Sequence, residues 1–132
     1  MKRIALAFVM VALLATAFSS CKKSNAATEA YLTIETTPAN KSNNLNILGP
    51  DFPLKVEITS VMPPSGVKIQ VTASPEGSAT AFFTASNNTT APENNYTITG
   101  TPDGVTCVVT ITVTSLSSPT NVWSGTYRYS KK

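Results

Sequence analysis

Histidine is absent from this chain of 132 residues. That removes Ser-His-Asp and Cys-His catalytic arrangements, and with them nearly all zinc sites. Cysteine is almost absent too, with Cys21 and Cys107 as the only two. Two thiols are too few for the disulfide framework of a stapled secreted domain. Charge is sparse at 13% of residues, and no basic stripe runs through the sequence. A nucleic-acid partner is therefore not expected. There is no glycine-rich phosphate loop and no calcium loop of alternating aspartates. Only one long apolar run exists, residues 4–18, and it is 15 residues long. As a helix it would reach about 22 Å at ~1.5 Å per residue, short of the roughly 20 residues a membrane span needs.

What is present at the N-terminus has a clear order. Lys2 and Arg3 precede the apolar run, which ends Phe18-Ser19-Ser20-Cys21. A charged start, a short apolar segment and small residues before a cut site are the parts of a secretory leader. Removing Lys2 and Arg3 with the leader leaves eight basic against seven acidic residues, a net charge of +1. The apparent basicity of the chain belongs largely to its export signal. Two cut sites fit. Cleavage after Ala15-Thr16-Ala17 releases a chain starting at Phe18, whereas cleavage before Cys21 starts the mature chain on a thiol. An unmodified thiol there would be exposed in an oxidising compartment.

Phe18-Ser19-Ser20-Cys21 followed by Lys22-Lys23-Ser24-Asn25 resembles the lipobox of bacterial lipoproteins, in the relaxed form of the Bacteroidetes group. Phe18 stands where the usual lipobox has leucine. The resemblance implies lipid attachment at Cys21 and a cell-envelope location on a membrane. Lys22 after the cysteine is compatible with sorting to the outer membrane, in either leaflet. The implied organisation is a cleaved signal peptide over 1–20, a lipidated tether over 21–29 and one domain over 30–132. The eight residues 22–29, polar but for Ala26 and Ala27, extend at most ~28 Å, which keeps the domain near its membrane.

From residue 30 onward the apolar period is two, which argues strands rather than helices. Strands are expected over 31–37, 52–59, 67–72, 79–86, 96–98, 105–114 and 123–129, with a short extended piece near 45–48. Residues 74–77 and 87–94 read as turn and loop from their Ser, Pro, Gly and Asn content. Val105, Cys107, Val109, Ile111 and Val113 share one face of the longest strand. Cys107 thereby takes a buried register, where it acts as a small apolar residue. About seven strands spaced 8–12 residues apart fit an all-β, antiparallel two-sheet sandwich of Ig-like or fibronectin III-like type.

Residues 96–111 (YTITGTPDGVTCVVTI) resemble the fifth and sixth strands of fibronectin type III and Ig-like domains. Thr101 and Cys107 stand where that family carries leucine and tyrosine. The resemblance implies a sandwich with Greek-key order. In that order the first strand starts beside the loops around 62–64, 87–94 and 117–121. The loops near 40–51, Glu76 and Asp103 then lie at the opposite end.

Chemistry is thin. Ser65-Gly66-Val67-Lys68 matches S-x-x-K, but the S-D-N and K-T-G companions of penicillin-binding enzymes are missing. Four Asn-x-Ser/Thr matches follow from the Asn/Thr-rich loops. No cofactor and no metal site is expected. The weak ligand-binding candidates are Trp123, Tyr127 and Tyr129, which alternate on one strand face and would form an aromatic platform if exposed. The expected function is a lipid-anchored envelope binding or assembly module without catalytic activity, with an envelope protein as partner. A carbohydrate-binding module using those aromatics, with a glycan as partner, is the alternative.

Overall fold

The computed structural model describes residues 29–132, so the leader, Cys21 and the tether through Thr28 lie outside the described residues. The chain forms eight strands: β1 (Ile34–Thr37), β2 (Asn43–Ile47), β3 (Phe52–Ile58), β4 (Val67–Pro75), β5 (Phe83–Thr89), β6 (Glu93–Ile98), β7 (Thr106–Ser115) and β8 (Val122–Lys131). They pack as two sheets, ordered β1-β3-β6 and β2-β8-β7-β4-β5. Strands β3 and β6 share one sheet while β4 and β7 share the other, the division that defines an Ig-like sandwich.

The alternation seen in the sequence builds the core. Phe52, Leu54, Val56 and Ile58 of β3 face Val67, Ile69, Val71 and Ala73 of β4, and all eight are buried. Cys107, Val109, Ile111 and Val113 of β7 complete the second layer. β4 and β7 each pair along both edges, so both their backbone and their inner side chains are out of water. They are the spine of the molecule.

The two-sheet sandwich is as expected, and the short extended piece near 45–48 is its eighth strand, β2. Other details differ, the first being that one strand pair is parallel. β1 stops at Thr37, and Pro38, which has no N–H to donate, marks the end of its ladder with β3. The chain then crosses to the opposite sheet, where β2 runs parallel to β8. Asn40 and Lys41 consequently lie against the middle of β8, at Thr126, rather than at the far end of the sandwich.

Residues 87–89 and 93–94 are strand, and only 90–92 form the loop. They pair with Val67, Lys68 and Ile69 of β4 and with Val56 and Glu57 of β3. These are sheet edges with one side toward water, where Asn and Thr are tolerated and no apolar alternation is required. Ser74 and Pro75 likewise extend β4 instead of turning. The Ala73 carbonyl accepts from Phe82 N on the β5 side, so the Pro75 nitrogen points that way too, past the start of β5. No ladder bond is lost there. The turn falls at Glu76-Gly77, with Gly77 at φ 81°.

Candidate functional site

The sandwich has two chemically distinct ends, and the functional question is what each can hold. At one end the N-terminal segment meets the loops 59–66, 90–92 and 116–121, as Greek-key order implies. Asn121 fastens it: Leu32 N donates to its Oδ1 at 3.1 Å and its Nδ2 donates to Ala30 O at 2.9 Å. Ser115, buried at the end of β7, donates to Glu29 Oε1 at 2.7 Å and accepts from the backbone N of Ser117 and Ser118. The chain thus enters the domain through a knot of short polar side chains. Gly66 sits in the same knot at φ 82°, and a Cβ on it would strike the Thr89 carbonyl oxygen.

At the opposite end a groove of about 550 Å³ opens beside β3. It exists because β1 ends early: the stretch Phe52–Leu54 has β6 on one side and no β1 residue on the other. The walls are mainly apolar, from Pro38, Ile47, Leu48 and Phe52, with Tyr96 and Tyr127 adding phenol rings. Leu48 at its rim is 77% exposed. Alternation marks Phe52, Tyr96 and Tyr127 as strand residues but does not mark them as walls of a groove. For Leu48 the available signal is its place in an Asn-rich stretch that offers it no core.

Trp123, Tyr127 and Tyr129 do share a face, but it is the inner one. Tyr127 and Tyr129 are 2% and 1% exposed. Tyr129 packs its ring 4.8 Å from that of Phe52 and hydrogen-bonds Thr101 Oγ1 at 2.6 Å. The Trp123 indole folds over Gly125, where any side chain would collide with it, and it is half-buried. The three therefore do not make an exposed aromatic platform. The two tyrosines floor the groove instead.

The ionisable groups of this region are tuned toward neutrality. Burial pushes the Tyr127 phenol well above its ordinary range, and the neighbouring Tyr129 adds to the shift. Burial also raises Tyr129, partly offset by its bond to Thr101. Tyr96 is raised by burial against a lowering bond to Asn87. Cys107, fully buried, is raised by burial, and its thiol donates weakly to Val105 O at 3.6 Å. These groups stay protonated near neutral pH and serve as packing atoms and hydrogen-bond donors rather than nucleophiles. Ser65 lies in the loop before β4, its N bonded to Ser117 Oγ, with Lys68 on the outer face of the strand. Among the described residues no three His, Cys, Asp or Glu side chains are arranged to hold a metal ion.

The chain matches no protein-family model, and no curated protein is significantly similar to it.

Proposed function

We propose that the chain is a lipid-anchored, non-enzymatic module of a bacterial cell envelope, working by binding or assembly as an accessory subunit, an adhesin-like domain or a spacer. Lipid attachment at Cys21, exposed by removal of the leader over 1–20, supplies the anchor. One observation carries the rest: the described chain enters at one end of the sandwich, tied by Asn121 and Ser115, while the apolar groove opens at the other. A domain held this way turns the groove away from its point of attachment. More than one acyl chain, each contributing about 0.8 kcal/mol per buried methylene, makes such attachment stable. Detergent-phase partitioning tests the reading: the native protein is expected in the detergent phase and the Cys21→Ser variant in the aqueous phase. Equal partitioning of the two would overturn it.

The carbohydrate reading keeps one foothold, since Trp123 is only half-buried. It requires glycan-array binding that disappears in Trp123→Ala.

A further inference from the structure

The anchored end of the sandwich has a composition its tether alone does not explain. Its three loops, 59–66, 90–92 and 116–121, contain no charged residue. The opposite end carries Asp51, Glu76, Asp103, Lys131 and Lys132 in or beside its loops. Two acidic residues flank the loops of the anchored end, Glu29, bonded to Ser115, and Glu93, beside loop 90–92, and the loops display apolar side chains to water: Tyr31 is 86% exposed, Val61 76% and Leu116 39%. These lie together, because Asn121 pins Ala30 and Leu32 on either side of Tyr31, and Thr33 pairs with Thr59. One cleft is lined jointly by Ala30, Val61, Met62 and Ser117, with Glu29, held by Ser115, in its wall.

We propose that this tip is an interfacial docking surface, with the loops 59–66 and 116–121 and Tyr31 resting in the headgroup–acyl boundary of the lipid bilayer. The inference rests on the lipid-anchor reading and adds to it an orientation: the sandwich stands on its tip instead of swinging freely on a leash. Four properties fit this occupant. The tether from Cys21 to Glu29 spans at most ~28 Å, so the tip is the part of the domain held against the membrane. A short linker gives an effective concentration of roughly millimolar, so individually weak apolar contacts suffice.

The three loops themselves carry no charge, which spares the cost of stripping water from ionised groups where they meet the boundary. Finally, the tip is pre-shaped. Pro63, Pro64, Pro92 and Pro119 stiffen its loops, and their backbone groups bond internally, Gly66 N to Pro63 O, Leu116 N to Gly66 O and Asn121 N to Ser118 O. Tyrosine, with an apolar ring and a polar end, suits such a boundary.

The test uses the full lipidated chain in phosphatidylcholine vesicles with bromine-bearing acyl chains. Acylated Cys21 and buried Cys107 leave a single reactive thiol when a fluorescent probe is placed at Thr120→Cys, in the tip, or at Thr99→Cys, at the far end. Groups ~5–10 Å into the boundary are within reach of the bromines, so the tip probe should be quenched at least about threefold more than the far probe. In V61D/L116D the tip quenching should fall to the far-end level while the circular dichroism spectrum stays unchanged. An acylated chain whose two probes are quenched equally would overturn the docking surface and leave the anchor standing. An unmodified Cys21 in the intact mass would overturn both. Quenching that persists undiminished in V61D/L116D would also count against the proposal.

Discussion

The two ends of this sandwich are held together by different chemistry. The end where the described chain enters uses hydrogen bonds: Asn121 holds the backbone at Ala30 and Leu32, Ser115 donates to the Glu29 carboxyl, and the core beneath them is aliphatic, with Ile58, Val67 and Val113. The far end uses ion pairs, Arg128 to Glu76 at 2.7 Å and Lys131 to Asp103 at 2.8 Å, above a core containing Cys107, Tyr127 and Tyr129. An end whose loops carry no charge is suited to an apolar surface, and an end with ion pairs and titratable groups beneath it is suited to water. The same spine, β4 and β7, serves both. The ends should therefore respond separately to salt and pH but fail together when the spine is damaged.

The largest effect should come from the spine. Ile111→Ala deletes buried methylenes between the sheets and should cost about 2–5 kcal/mol, measured by denaturant unfolding. Its hydrogen-exchange signature should be loss of protection at both ends, and loss at one end only would break the idea of a shared spine. Asn121→Ala should cost about 1–2 kcal/mol, because two backbone bonds to the entering chain are lost. Faster exchange should be confined to Leu32 and its neighbours.

High pH should act on the far end. Burial keeps the Tyr127 phenol protonated in the fold above the range where the unfolded chain has lost its proton. Stability is thus full below about pH 10, the ordinary tyrosine value, and falls as pH rises beyond it, at about 1.4 kcal/mol per pH unit for such a group. Tyr127→Phe should flatten that slope in pH-dependent unfolding curves. Smallest is the exposed Arg128–Glu76 pair, whose partners are roughly half in solvent. Glu76→Gln should change stability by about 0.2–1 kcal/mol at low salt and by nothing measurable at high salt. Asn121→Ala should show no such salt dependence.

Much of the fold can be read from the sequence, for reasons visible in particular strands. Phe52, Leu54, Val56 and Ile58 alternate with polar residues because β3 buries one face, and Cys107 through Val113 do so for the same reason. β2 is silent to that reading. Its residues NNLNI hold an irregular register on β8, with Asn46 at φ 58°, and neither face is buried. Polar edge strands hide similarly: Asn87 through Thr89 pair by backbone, so their side chains report water instead of strand.

Alternation put Trp123, Tyr127 and Tyr129 on one face, but period alone does not say whether that face is core or solvent. Which side is buried depends on the sheet opposite. The groove was least legible, since it is a gap between where β1 stops and where β2 begins, a property of chain path rather than of any residue. The proposed anchor is the reverse case: the expectation at Cys21 comes from local pattern alone and calls on no tertiary structure.

The intact mass of the mature protein, extracted from membranes with detergent, tests the central claim most directly. A chain beginning at Cys21, with its mass increased by a thioether-linked diacylglyceryl group and one amide-linked acyl chain, is the predicted result. A chain beginning at Phe18 with a free amine, or at Cys21 with a bare thiol, would contradict it.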